Sequence, residues 1–242
     1  MRIALISDIH GNMIALEAVL AEIKRTQPDQ IIFLGDVATL GPQPRDAIDA
    51  VRTLGCPCIM GNHDEFLIDP ELVHTYNTLP IVVDSVEWCR HQLSGSDLSF
   101  LGTFTRTRHV PLNSSATLLL FHGSPRSHME VLLATTPADE VDVFLAGYKA
   151  DIMAGGHTHI QMIRQHRGSI LLNPGSVGLP FKEHVMGQPA TFMAHAEYAT
   201  IDVVGDKTSV AVHRIPLDKG LLLDTIAKTD NPLRSVLLEH YD

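Results

Sequence analysis

Residues 2–7 form a continuous apolar run of strand length, and beyond it Met13, Leu16, Val19, Leu20 and Ile23 recur at helical spacing on one face. This predicts a βα unit. A turn at Gln27-Pro28-Asp29 leads into Ile31-Ile32-Phe33-Leu34, and Ala47, Ile48, Val51 and Leu54 mark a second helix that starts near Pro44 and stops at Gly55. Residues 56–60 read as a third strand. The first 64 residues thus predict βαβαβ, a parallel half-sheet, because parallel neighbours need a crossover between them.

Residues 65–104 carry helical spacing, with one helix through Val82, Val83, Val86 and residues 88–93 and a short one from Ser96. Past Arg106 the pattern changes. Residues 106–112, 116–121, 152–154, 160–166, 169–172, 194–204 and 208–214 read as strands, interrupted by helical spacing at about 137–150. Turns as short as Arg167-Gly168 and Gly205-Asp206-Lys207 predict that much of this half is an antiparallel meander. From Lys219 the chain reads as helix, broken at Asn231-Pro232 and without legible chemistry. The expected architecture is α/β, two sheets packed face to face with helices outside. It forms a single domain over residues 1–242, with the core motifs in 1–180 and C-terminal strands and helix in 181–242.

Composition narrows the function classes. Hydrophobic residues at 45% and charged ones at 19% suit a soluble globular chain and not a disordered one. A formal charge of -10 argues against a basic groove for duplex nucleic acid, whose binding depends on phosphate neutralisation. No membrane-spanning run and no leader-like segment is visible, so the expected location is the cytoplasm. Cys56, Cys58 and Cys89 are odd in number and C-P-C lacks the spacer of metal and redox motifs, which predicts buried, reduced thiols.

Five predicted strand ends carry metal-type side chains: Asp8-Ile9-His10, Gly35-Asp36, residues 61–64 (GNHD), Phe121-His122-Gly123 and residues 156–159 (GHTH). Open α/β sheets place their sites at such ends. In extended backbone, positions i and i+2 face the same way, so Asp8 with His10, and His157 with His159, are each expected to present two ligands to one ion. Asp36 adds a carboxylate, Asn62 an amide oxygen and His122 an imidazole, giving seven candidate ligands, too many for one ion. A mixed N/O set without thiolate suits two first-row divalent cations sharing a carboxylate, a clamp for phosphoryl chemistry. Their positive charge would draw a small phosphorylated substrate into an acidic protein.

His74, His91, His109, His128, His166, His213 and His240 lie in no ligand spacing and read as surface residues, while His184 and His195 flank residues 179–194. Three rival motifs fail. Gln161 and Met162 stand where H-x-H-x-D-H needs Asp and His, Pro174 spoils G-x-S-x-G, and no G-x-G-x-x-G follows the first strand.

The blocks ISDIHGN (6–12), GD (35–36), GNHD (61–64), FHGSPR (121–126), GGHTH (155–159) and NPGSVG (173–178) resemble, in order, those of the calcineurin-like metallophosphoesterases, specifically the small bacterial and archaeal phosphodiesterases. The resemblance implies two facing mixed β-sheets flanked by helices, a four-layer αββα sandwich. It further implies that Asp8, His10 and His159 hold one metal, that Asn62, His122 and His157 hold a second, and that Asp36 bridges them. Manganese leads the expected ions, with iron, zinc, nickel or cobalt as alternatives. His63 would act over the phosphate as acid or charge stabiliser, and a metal-bridging hydroxide would attack a phosphodiester or nucleotide-derived anhydride. A phosphomonoesterase and a non-catalytic metal-binding scaffold of the same fold are the alternatives. Two departures stand out. Thr39 replaces the second Asp of GDxxDRG, which weakens a protein phosphatase reading and leaves His63 without an assigned partner. Residues 179–194 add a segment in which Phe181, Lys182 and His184 are candidates to reach substrate, with Arg126 expected to bind a non-reacting phosphate.

Overall fold

The computed structural model describes residues 1–76, 79–185 and 190–241. In chain order its strands are β1 (Arg2–Ile6), β2 (Gln30–Phe33), β3 (Arg108–Pro111), β4 (Thr117–Leu120), β5 (Ile152–Ala154), β6 (Met162–His166), β7 (Ser169–Asn173), β8 (His195–Val204) and β9 (Lys207–Pro216). They form two mixed sheets, ordered β2-β1-β8-β9 and β3-β4-β5-β7-β6. Helices α1 (Met13–Thr26) and α2 (Pro44–Leu54) are the crossovers of the first half. The short α3 (Asn62–Ile68) and α4 (Val73–Tyr76) lead to α5 (Pro80–His91) and α6 (Gly95–Leu101). Helix α7 (Ala138–Phe144) lies in the connection from β4 to β5, and α8 (Lys219–Ala227) and α9 (Arg234–His240) close the chain.

Strands with apolar residues on both faces explain the unbroken runs in the sequence. Ile3, Leu5, Ile32 and Leu34 cluster with Leu118, Leu120, Ile152 and Leu172 of the other sheet, while Ala4, Ile6 and Phe33 pack with Leu16, Val19, Ile48 and Val51 of α1 and α2. Leu119, Met153 and Leu171 point the opposite way, into a cluster with Val141 of α7. Strands β1, β2, β4, β5 and β7 therefore contribute to two cores by simple alternation.

Two expectations need correction. The third strand is reduced to isolated bridges, Cys58 with Phe33 and Ile59 with Thr105. Pro57 accepts from Phe33 N but has no N–H to extend a ladder, and the chain must turn at Gly61 into α3. The second half is also less of a meander than its turns suggest, since β5 is parallel to both β4 and β7. Residues 121–151 serve as a crossover, and antiparallel pairing within this half joins β3–β4, β6–β7 and β8–β9, while β8 also runs antiparallel to β1 of the first half.

Smaller corrections concern single residues. His128 and His166 are buried, not surface-exposed, because each meets a carboxylate: Glu65 at 2.9 Å and Asp142 at 2.8 Å. Cys89 is buried as expected, whereas Cys56 and Cys58 are half-buried; all three are free thiols. Among the described residues no helix is long and apolar enough to cross a membrane.

Candidate metal centre

The chain leaving β1, β2, β4 and β5 emerges on one side of the two sheets, and there the polar clusters meet. Asp8, His10, Asp36, His157 and His159 all take left-handed backbone, with φ of 55, 47, 65, 69 and 58°. Such conformations cost a non-glycine residue on the order of 1 kcal/mol and persist only where the surroundings impose them. Here the amides are claimed one by one: Asp8 N donates to Gly35 O at 2.9 Å, His10 N to Asp36 O at 3.0 Å and His157 N to Asp8 Oδ2 at 3.1 Å. The i, i+2 expectation therefore fails in its reason. These side chains converge through tight left-handed turns past the strand ends, and His157 and His159 fall into different groups.

One group is Asp8, His10 and His159; the other is Asp36, His122 and His157. All six are buried, and within each group the donor atoms lie within 4.8 Å of one another. Asn62, the first residue of α3, joins the second group, with Oδ1 3.1 Å from His122 Nε2 and 3.0 Å from His157 Nδ1. Asp36 Oδ2 stands between the groups, 3.3 Å from His122 Nε2 and 3.8 Å from His10 Nε2. Glycines permit this closeness: a Cβ on Gly61 would fall on Asp36 Oδ1, and one on Gly156 on Ser7 Oγ.

The hydrogen bonds fix which nitrogens face inward. His10, His122 and His159 each set Nδ1 against a backbone carbonyl, of Thr39 at 3.2 Å, Leu34 at 2.7 Å and Leu179 at 2.7 Å. A carbonyl only accepts, so Nδ1 carries the proton and Nε2 turns a lone pair inward. His157 is reversed, its Nε2 meeting Tyr76 Oη at 3.2 Å and its Nδ1 facing Asn62. The result is an array of acceptors aimed at one another: His10 Nε2 lies 3.0 Å from His159 Nε2, and buried Asp8 Oδ1 has no hydrogen-bond partner. Only positive charge relieves it. Burial alone would lower His122, yet the negative charges of Asp36 and Asp8 hold it up to about 10, which shows how strongly the array favours positive charge at this point. Burial pushes His10 and His157 down to about 3, keeping both neutral as ligands must be. The chemistry of each donor group, imidazole nitrogens with carboxylate and amide oxygens and no thiolate, fits a divalent first-row cation.

His63 opens α3 beside this array. Its backbone N donates to Asp36 Oδ1 at 2.9 Å, and its ring meets His10 and Phe66 edge-on at 5.2 and 5.1 Å. Nδ1 is buried and has no hydrogen-bond partner. Thr39 does not serve it, since the Thr39 hydroxyl lies 3.3 Å from His10 Nδ1. Phe181 lies against His159, ring centres 4.3 Å apart and planes tilted by 36°, and lines a cleft that Asp36, His63, His157 and His159 also line. Arg126 does not line it. Its Nε donates to Glu130 Oε1 at 2.7 Å, and its guanidinium sits over Phe144. Of the 179–194 segment, residues 186–189 lie outside the described residues.

Sequence reasoning overlooked three supporting residues. Asp64 accepts N–H bonds from Asp36, Val37 and Gly61 at 2.8–2.9 Å, so it shapes the turn that presents Asp36. Burial and the Asp36 charge push its carboxyl up to about 7. The fourth letter of GNHD was the available signal. Tyr76 and Asn231 had none: one sits in ordinary helical spacing, and the other donates to the carbonyls of Leu40 and Gly41 from the far end of the chain.

Residues 1–196 match the calcineurin-like phosphoesterase superfamily domain. An uncharacterized protein of Methanocaldococcus jannaschii is 28% identical over 237 residues, 95% of this chain and 93% of its own. Among solved structures, a metallophosphoesterase from Sphaerobacter thermophilus is 27% identical with a TM-score of 0.68, over 98% of this chain and 95% of that one. A hypothetical protein from Pyrococcus horikoshii shares the fold at a TM-score of 0.80 and 19% identity, over 98% and 97%. The chain carries the sheets, the ordered motifs and the paired donor groups in one framework, and it belongs to the calcineurin-like phosphoesterase superfamily.

Proposed function

We propose that this chain is a dinuclear metal-dependent phosphoesterase that prefers phosphodiesters. The observation that carries the reading is the pair of buried donor groups joined at Asp36 and open to a cleft beside His63. Asp8, His10 and His159 would hold one cation and Asn62, His122 and His157 the other. When bound, the cations supply Lewis-acid activation of water and neutralisation of phosphoryl charge.

The chain's own residues do the rest. Asp36 places its shared carboxylate through the Asp64 cradle and orients His63 through the amide bond at the start of α3. His63 Nδ1 is buried and without a hydrogen-bond partner, so Nε2 is the ring nitrogen left to serve a leaving oxygen. Burial lowers His63 in the free protein, and an anionic ester beside it favours the charged form again. Among the described residues the cleft has no Arg or Lys in its wall. A monoester dianion would lack the guanidinium clamp that its extra charge calls for, and a polyphosphate lacks it still more.

With Mn²⁺ present, an aryl phosphodiester should therefore be hydrolysed faster than the matching monoester, both losing turnover in chelator. Equal or faster monoester cleavage would make the protein a phosphatase, and no cleavage of either would make it a scaffold. Tyr76→Phe gives a second test, because Nε2–H of His157 needs that oxygen to keep Nδ1 turned inward. Losing such a partner costs roughly 10–100-fold in metal affinity. A calorimetric titration should show one site weakened by about tenfold and the other unchanged. Equal weakening of both would contradict the assignment of His157 to one cation.

A further inference from the structure

The cleft beside the two donor groups has a volume of about 310 Å³, at the small end of the ~300–1,000 Å³ usual for small-molecule sites. Asp36, His63, His157 and His159 line it together with Tyr76, Thr158, His184 and a majority of apolar side chains. Ile81 and Val82 come from α5, Val236 and Leu237 from α9, and Phe181 and Phe192 continue the wall with ring centres 5.8 Å apart. No Arg or Lys lines it among the described residues, and residues 77–78 and 186–189 contain none in sequence.

The α9 part of this wall comes from outside the stretch that matches the superfamily, which ends at residue 196. It is nevertheless tied to the site. Asn231 Nδ2 donates to Leu40 O and Gly41 O at 3.0 Å each, Tyr241 Oη donates to Gly178 O at 3.2 Å, and Tyr241 bridges Phe192 in β fashion. Leu40 and Gly41 follow Asp36 in one loop, and Gly178 ends the segment whose Ser176 Oγ donates to Asp8 O at 2.7 Å. The C-terminal helix is thus fastened to the loops that present both bridging and terminal carboxylates, so the apolar wall and the donor groups form one cavity.

An anionic or strongly polar group entering the part of the wall built by α5, α9, Phe181 and Phe192 would give up water and meet no Arg or Lys among the described residues, whereas an apolar group gains with each methylene buried. We infer that the cleft seats the alcohol part of the substrate and that this alcohol is uncharged and apolar, an alkyl or aryl ester of phosphate and not a nucleoside polyphosphate. The inference rests on the phosphoesterase reading only for where the phosphate sits, among Asp36, His63 and His157.

Binding of n-alkylphosphonates, which have no ester bond to cleave, tests it without turnover. On the Mn²⁺-loaded protein, calorimetry from methyl- to octylphosphonate should show affinity rising about fourfold per methylene until the cleft is full. Adenosine 5′-diphosphate should bind more weakly than the longer members. Val236→Asp and, separately, Phe181→Ala should flatten the series, with circular dichroism confirming that each variant is folded. A flat series in the unaltered protein, or tighter binding of the diphosphate, overturns the inference. If affinity climbs with chain length while no ester is cleaved, the apolar site stands and the hydrolytic reading falls. If esters are cleaved and the series is flat, the apolar site alone falls.

Discussion

Asp36→Ala should remove both of the proposed cations and slow diester hydrolysis by at least ~10³-fold, the order expected when metal activation of water and charge neutralisation are lost together. Asp36 Oδ2 is within 3.8 Å of ligand nitrogens from both groups, and Oδ1 holds the His63 amide at 2.9 Å. Its carboxyl lies well below the usual range: burial would raise it, but the imidazoles of His122, His63 and His10 outweigh burial. Removing that charge leaves those imidazoles facing one another with only Asp8 to balance a cation. Asp36→Asn separates charge from shape, since its amide oxygen can still accept from His63 N. It should lose metal nearly as completely as the Ala variant while keeping the fold. His10→Ala and Asn62→Ala each strip one group and should leave the other partly loaded. Elemental analysis decides: Asp36→Asn with both ions and a near-normal rate would remove the shared carboxylate from the account.

His63→Ala should behave in the opposite way, keeping both ions and losing rate selectively. An alkoxide is a poor leaving group, and a positioned acid contributes roughly 10²–10⁴-fold to its departure. A nitrophenolate leaves without a proton and gains far less. The variant should therefore lose most of its rate on an alkyl diester and much less on a nitrophenyl diester. Equal losses on the two at full metal content would make His63 a stabiliser of phosphoryl charge and end its role as acid.

The strands and motifs were legible because burial on both faces forces unbroken apolar runs, and because metal-type side chains at the ends of five such runs have little structural reason to be there. What makes them converge was not legible. Left-handed backbone at Asp8, His10, Asp36, His157 and His159 belongs to tertiary hydrogen bonds between loops distant in sequence; Asp and His enter that region more readily than most residues, but this does not say which of them do so here. The weak third strand follows from Pro57, which was visible but outweighed by the apolar run around it. Arg126 looked like a phosphate ligand because it follows FHGSP, yet Glu130 four residues on claims it. Tyr76, Asn231 and the α9 wall of the cleft depend on chain ends meeting in space, a contact that periodicity cannot encode.

Metal stoichiometry measured alongside turnover tests the central claim most directly. Metal-free protein titrated with Mn²⁺, with bound ions counted by elemental analysis and diester hydrolysis followed at each step, should bind two ions per chain and reach full rate only as the second site fills. Full activity at one ion or none would contradict a dinuclear centre, and two bound ions without hydrolysis of any ester would contradict a phosphoesterase.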